Sequence, residues 1–482
     1  MDEITNTSTE LHKEKHLKRY DPKTAIIDGA TAPKGFERTK LVVPAKRNLL
    51  IVGLAIVVAI FILSFIFSIR IVFVIYTIYM IFILCTFFIM WFEEKERNKL
   101  QKLRETLEDI KWPDVTIVIP SYNTSHTILK CIQKCKELEY NGKKEIVVVD
   151  DGSTDGSQEL LKSVDGITLL IKEKNEGKGS ALNWAIRRTQ GEIIVTIDSD
   201  SYPEKDVLIK AIPLFYKDPK VAAVVIFVKP VSEVKNFIQK VQQLDYWMNF
   251  GYFFKAIYNI GGLYVTPGPL SMYRRTFFEE LGGFDEKNIT EDMEIALRLQ
   301  RHGYKIEYCY DAEVETEVPL TLNGLFKQRL RWYRGGIVNM FNYSDMIFNP
   351  KYEALGMFIM PIVITTGLFS SIFLAWNIIY HSRNILQGLI PWLYNFEAMA
   401  SVGITLKSFD VFAIDSIYIF AGFSTLFWIY FVYMGFKISR TKFTKQYILP
   451  TLGMFFLFPI FSAFTFFIAY VYEFLGKEYR WS

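Results

Sequence analysis

The sequence predicts an α/β domain built on a mostly parallel sheet and set between two groups of apolar helices. Three observations carry that prediction. Of 482 residues, 51% are hydrophobic and 16% aromatic while only 22% are charged, which is too apolar for disorder or for a wholly water-soluble enzyme. Long uncharged runs flank the middle of the chain. Between them, short β-branched runs alternate with helical stretches, the pattern of parallel strands covered on both faces.

Charge narrows the partners. The 55 basic and 51 acidic residues leave a net +4, too balanced for a protein held by phosphate-backbone contacts, so nucleic acid is not an expected partner. The four cysteines, Cys85, Cys131, Cys135 and Cys309, lack the paired spacing of a zinc site and are too few for a disulfide framework.

Taken in order, residues 1–48 are polar, with no short apolar core before a small-residue cleavage site, so no cleavable signal is expected. Residues 49–92 are predicted to form a transmembrane hairpin. Leu49–Ile69 and Ile71–Phe92 are each long enough, at about 1.5 Å per residue, to cross a hydrocarbon core of roughly 30 Å, with Arg70 at the turn. Lys46 and Arg47 before the hairpin and Lys95, Arg97, Lys99, Lys102 and Arg104 after it place both flanks in the cytoplasm. Within 355–474, three more spans are expected, at about Leu355–Tyr380, Phe412–Phe436 and Tyr447–Phe474, with the basic loop Lys437–Lys445 on the cytoplasmic side. His381–Asp410 is too polar to cross. Pro450 and Pro459 predict kinks in the last span. Five spans in all place Ser482 outside.

The cytoplasmic middle, 111–350, carries predicted strands at Val115–Ile119, Glu145–Val149, Ile167–Ile171, Ile193–Ile197 and Val221–Val228, with helices at Thr127–Leu138 and Gly179–Arg188. Ligands of such sheets bind beyond the carboxyl ends of the strands, so the polar residues there are the candidates. Asp150 and Asp151 end the second strand and suit a turn as well as a donor group or cation. Asp198 and Asp200, two apart at the end of an apolar strand, suit a divalent cation, Mg2+ or Mn2+, bridging to a diphosphate, though an Asx turn explains them too. Lys178 stands in a Gly-rich entrance to a helix that matches neither a P-loop nor a dinucleotide motif; it is either a phosphate contact or a solvated lysine.

Glu291 and Asp292 open an amphipathic helix, where acids favour the helix dipole, and where a carboxylate could equally take a proton from an attacking hydroxyl. In Gln328-Arg329-Leu330-Arg331-Trp332, guanidinium groups beside an indole fit phosphate and sugar contact as well as anchoring at a membrane interface.

The order of these segments resembles the processive, membrane-embedded family 2 glycosyltransferases, the group of cellulose, hyaluronan, chitin and poly-N-acetylglucosamine synthases. The resemblance covers about Val115–Gly336 and rests on Pro120-Ser121-Tyr122-Asn123, Asp150-Asp151-Gly152-Ser153, Asp198-Ser199-Asp200, Thr290-Glu291-Asp292 and Gln328-Arg329-Leu330-Arg331-Trp332. It implies a GT-A fold with a Rossmann-like sheet, a plasma-membrane location and inverting transfer from a UDP-sugar to a growing polysaccharide acceptor that the same chain moves across the bilayer.

Carried over, Asp292 is the catalytic base and Asp200 the metal ligand. Pro120, Tyr122 and Asp151, with Asp150 beside it, lie near the uracil; Asp198 near the ribose or diphosphate; Arg331 on the diphosphate; Gln328 and Trp332 near the acceptor or nucleotide. Val265–Ser271 resembles the stretch beneath the acceptor, and Phe237–Phe254 an interfacial helix. No cyclic-dinucleotide receptor domain follows Phe474, which leaves an N-acetylhexosamine polymer the leading expectation. A transferase that moves one sugar to a polyprenyl phosphate and a non-catalytic nucleotide-binding transporter or sensor are the alternatives.

Overall fold

The computed structural model describes residues 111–368 apart from 235, together with 370–371, 378–379, 382–383 and 416–477. The expected hairpin at 49–92 and most of the 381–410 loop lie outside the described residues. The expected strands appear as β1 (Val115–Ser121), β2 (Lys144–Asp150), β3 (Thr168–Ile171), β4 (Ile193–Ile197) and β6 (Val221–Pro230), joined by β5 (Ser201–Pro203), β7 (Leu270–Arg274) and β8 (Lys305–Thr316). Their order is β3-β2-β1-β4-β7-β6-β8-β5.

All five expected strands keep the expected direction, since β6 and β4 both flank the reversed β7 and β6 pairs in parallel with β8. β3, β2, β1 and β4 are parallel, but β7 lies antiparallel between β4 and β6, and β5 is antiparallel to β8, so three of the seven pairings are antiparallel. The sheet is therefore mixed, with its four other pairings parallel, and most of its strands run in one direction as expected. The two reversed strands are short, five residues in β7 and three in β5, and β8, also unread in the sequence, interleaves Lys305, Glu307, Asp311, Glu313 and Glu315 with its apolar residues.

The parallel half shows why its runs are continuously apolar. Successive residues point to opposite faces, and both faces are covered: Val118, Val147, Val149 and Ile194 enter one core, Ile117, Ile119, Val148 and Val195 the other. The helices that matter here are α1 (Ile128–Lys136), α2 (Lys178–Ile186), α3 (Phe237–Tyr246), α4 (Glu291–Arg301), α5 (Leu322–Asn342), α6 (Ser416–Ile438) and α7 (Ile448–Phe474). A wider π-helical turn, Trp247–Phe253, continues α3.

Among the described residues one helix, Lys445–Phe474, is long and apolar enough to cross a bilayer. Its exposed residues Leu449, Leu452, Phe456, Ile460, Phe464 and Phe467 recur every three or four positions, an apolar stripe facing outward. Pro450 falls in the first turn of α7, where its missing N–H costs no intrahelical bond, whereas Pro459 lies inside the helix.

The opposite face of α7 is fastened to the sheet domain. Tyr333 on α5 stacks on Phe466 with ring centroids 4.3 Å apart, Arg334 pairs with Glu473, and the Tyr447 hydroxyl donates to Gln243 Oε1 on α3 at 2.9 Å. At the centre of this junction the buried Arg329 of α5 pairs with Asp245 of α3, Nη2 to Oδ2 2.5 Å. Its guanidinium lies 4.3 Å from the Trp332 ring centroid and 5.8 Å from that of Phe458 on α7.

A buried ion pair broken on one side leaves an uncompensated charge, so Asp245→Ala should destabilise the protein by about 3–5 kcal/mol. The double change Asp245→Leu with Arg329→Met should recover most of that loss. Thermal unfolding of the purified variants followed by fluorescence measures both.

Candidate functional site

The topology dictates where a cleft opens. From β1 the chain order runs to β2 on one side and to β4 on the other, and a crevice forms beyond the carboxyl ends of strands at such a switch point. A cleft of about 240 Å3 lies there, lined among others by Pro120 and Tyr122 at the end of β1, Asp151 after β2, Asp198 and Asp200 after β4, Lys178 at the start of α2, and Arg331 of α5. Seven of the residues singled out in the sequence, from four separate motifs and one Gly-rich turn, thus meet in one place.

Asp151 is the organiser of one wall. Its carboxylate accepts from the backbone N–H groups of Glu176 and Gly177, the latter at 2.8 Å, and pairs with the buried Lys172 at 2.8 Å. Gly177, with φ at +94°, makes the turn that brings Lys178 into the cleft. Asp150 has a different place: its Oδ2 accepts from Ser153 N at 3.2 Å, it is fully buried, and it is not among the lining residues.

The other wall is a cluster of opposed charges. Lys178 Nζ sits 2.5 Å from Asp198 Oδ1 and 3.2 Å from Glu291 Oε1, linking the end of β4 to the start of α4. Burial alone would pull the ammonium pKa down, but Asp198, Glu291 and Asp292 outweigh it and raise it. Asp200 accepts from the Ser201 hydroxyl at 3.2 Å; burial and the neighbouring Asp198 push its carboxyl up to about 6. Gly268 lies against this cluster, where an added Cβ would stand 2.6 Å from Lys178 Nζ and 2.7 Å from Asp198 Oδ2.

Asp292 stands beside the cleft instead of in its lining. Its Oδ1 accepts from Met293 N at 2.8 Å, and its backbone carbonyl accepts from the Thr266 N–H and hydroxyl, at 3.1 and 2.8 Å. Burial and the adjacent Glu291 push its carboxyl up to about 6, against the opposing pull of Lys178 and Arg331. A carboxylate poised there accepts a proton readily near neutral pH.

The two arginines of the Gln-Arg-Leu-Arg-Trp segment divide their work. Arg331 reaches the cleft, and Arg329 is spent on Asp245. Trp332 and Gln328 are not among the lining residues: the indole packs against Arg329 and Tyr246, and Gln328 Oε1 is buried with no hydrogen-bond partner. Sequence reasoning missed Glu291 as the partner of Lys178 and Gly268 as the floor beneath it. Nothing local to either residue indicates a contact made across about 90 positions or more, from Lys178 to Gly268 and to Glu291.

The residues present fit a divalent cation. Asp198 and Asp200 bring two carboxylates to the same cleft, where burial first and Asp198 second raise the Asp200 carboxyl. Mg2+ and Mn2+ sites that complete their shell with phosphate oxygens and water need no more than that from the protein.

Residues 116–282 match the family described as "Glycosyl transferase family 2". The chain carries a family 2 glycosyltransferase domain. Among relatives, a poly-beta-1,6-N-acetyl-D-glucosamine synthase from Staphylococcus aureus is 30% identical over 225 residues, 46% of this chain and 54% of that protein. A beta-monoglucosyldiacylglycerol synthase from Nostoc sp. is 32% identical over 250 residues, 50% of this chain and 52% of that protein. The chain thus spans about half the length of these relatives.

A solved structure of a mannosyltransferase from Pyrobaculum calidifontis in complex with GDP-Man and Mn2+ superposes with a TM-score of 0.47 and 20% identity, over 82% of this chain and 99% of that one. The glycosyltransferase domain and its mixed, Rossmann-like sheet agree with the GT-A fold implied by the sequence resemblance. A non-catalytic transporter or sensor is set aside.

Two outcomes follow from the geometry. Gly268→Ala should leave thermal stability near the parental value, because the added methyl meets the end of a flexible lysine. Donor turnover should fall by about tenfold or more as Lys178 and Asp198 are pushed from their places. If Asp292 works as an ionised base, then in a pH series turnover should be retained above about pH 6 and fall below it with a slope steeper than one proton, as Asp292 and Asp200 both take up protons there.

Proposed function

We propose that this glycosyltransferase polymerises a UDP-sugar, of the N-acetylglucosamine type, into a β-linked polysaccharide and moves the product across the plasma membrane. In this reading 1–48 is a cytoplasmic segment, 49–92 a transmembrane hairpin, 111–350 the cytoplasmic GT-A domain and 355–474 the C-terminal spans. The bilayer and the growing polymer are its partners. The observation that carries the reading is the meeting of Asp198, Asp200, Lys178 and Arg331 in one cleft, with Asp292 beside it and its carboxyl raised. The synthase relative and the outward apolar stripe of α7 support the polymer and the membrane.

The chemistry assigned to these residues is one displacement. The acceptor hydroxyl attacks the anomeric carbon from the face opposite the diphosphate, and the bond from that carbon to the phosphate oxygen breaks. UDP leaves with the electron pair, and the hydroxyl proton passes to Asp292. Arg331 meets the charge that grows on the leaving diphosphate. Asp200, with Asp198 beside it, would hold the cation, which when bound supplies further positive charge to the leaving group. Pro120, Tyr122 and Asp151 bound the nucleotide end, and Lys178 is placed to meet the donor once Asp198 releases it.

Transfer of a single sugar to a lipid is the second reading, favoured by the beta-monoglucosyldiacylglycerol synthase relative. The products separate the two. Purified protein incubated with individual UDP-sugars and Mg2+ or Mn2+ should yield a ladder of long chains by mass spectrometry, and a lipid-linked monosaccharide alone would select the second reading.

Chelator should abolish turnover, and added Mn2+ or Mg2+ should restore it. Asp292→Asn should lower UDP release by about 10²–10⁴ while UDP affinity and melting temperature stay near parental, because the nucleotide is held by other residues. Near-parental polymerisation by that variant would overturn the assignment of the base.

A further inference from the structure

A displacement of this kind needs the base and the leaving-group cation in one fixed frame, on opposite sides of the anomeric carbon. Here they come from different elements. Asp292 lies in the first turn of α4, and Arg331 near the middle of α5. What joins the two is a buried polar contact that the chemistry above does not use.

Arg331, Gly335 and Asn339 follow one another at intervals of four along α5, so they share one face of the helix. Asn339 is fully buried. Its Nδ2 donates to Thr290 Oγ1 at 3.0 Å and to the Thr290 carbonyl oxygen at 3.3 Å, and its Oδ1 accepts from Asn288 Nδ2 at 2.6 Å. Asn288 Oδ1 in turn accepts from Thr290 N at 3.1 Å. One turn earlier, Gly335 leaves the space that the Thr290 side chain fills, since an added Cβ there would fall on its Oγ1 and Cγ2. The Thr290 carbonyl also accepts from Met293 N and Glu294 N, at 3.2 and 3.1 Å, so the same residue opens the helix that bears Asp292.

We propose that Asn339 is a positioning residue for glycosyl transfer: with Gly335 it locks the Asn288–Thr290 loop onto α5, so that the Asp292 carboxylate and the Arg331 guanidinium are set as one unit. The inference rests on the reading of Asp292 as the base. An amide is suited to this place because it both donates to Thr290 and accepts from Asn288. A hydrophobic residue would leave buried polar groups on the loop unpaired.

The test uses the full chain in lipid nanodiscs and four variants: Asn339→Ala, Thr290→Val, Asp292→Asn, and Asn339→Ala combined with Asp292→Asn. UDP release, the KM for the UDP-sugar, UDP affinity and melting temperature are measured for each. A displacement of about 1 Å at the reacting groups costs about 10²-fold in rate, so Asn339→Ala should lower kcat by about 10–100-fold. The KM and UDP affinity should stay within about twofold of parental, because the donor is held by the cleft.

Thr290→Val keeps shape and removes the accepting hydroxyl. It should show the same split in milder form, and it carries the test if Asn339→Ala fails to fold. Groups that act as a unit are not additive, so in the Asp292→Asn background the Asn339 change should cost less than about threefold more. A residue that only stabilises the fold would move the melting temperature and leave kcat per UDP-binding site unchanged, and that result overturns the proposal. So does a full multiplicative loss in the double variant. Asp292→Asn that turns over at the parental rate removes the base reading itself, and the positioning role with it.

Discussion

Like charges crowd the carboxyl edge of this sheet, and the arrangement around it depends on keeping them apart. Asp198 and Asp200 close β4, Glu291 and Asp292 open α4, and within a poorly hydrated cleft such carboxylates repel strongly unless cations stand between them. Lys178 is the cation the protein itself supplies, reaching Asp198 on one side and Glu291 on the other. It only partly offsets the repulsion. Asp200 and Asp292 both remain raised to about 6, one set to gain from a divalent cation and the other from a proton. In the proposed reaction these two raised carboxyls are the ones assigned to a metal–diphosphate and to the acceptor's proton.

The backbone serves that balance at a distance from it. Asp151 uses its carboxylate on Lys172 and on the amides of the 176–177 turn, so an acid that lines the cleft also fixes the entry to α2 and hence Lys178. Gly177 and Gly268 permit the close approaches, the first through a positive φ and the second through the absence of a side chain. The mixed half of the sheet has its own part. β7 pairs beside β4 and ends the Val265–Ser271 stretch, which brings Thr266 under the carbonyl of Asp292 and Gly268 under Lys178.

Helix α5 joins this chemistry to the apolar helices. Its Arg331 enters the cleft, its Arg329 is buried against Asp245 and Phe458, and its Tyr333 and Arg334 hold α7 through Phe466 and Glu473. One helix thus lines the cleft at one point and packs on the helix of the apolar stripe at several others.

The sequence by itself determined the parallel half of the fold, because β-branched runs buried on both faces and separated by helices leave few other structures open. It also determined which strand ends bear the chemistry, since polar residues directly after such runs lie at the ligand edge of any doubly wound sheet. Pro120, Tyr122, Asp151, Lys178, Asp198, Asp200 and Arg331 were all legible on those grounds or by resemblance. Tertiary structure alone decided the rest. The antiparallel placement of β7 and β5, the split between Arg329 and Arg331, the burial of Asp150 away from the cleft, and the partners Glu291, Gly268 and Asn339 all depend on contacts between segments far apart in the chain. Local pattern encodes which face a residue presents, and only packing decides what that face meets.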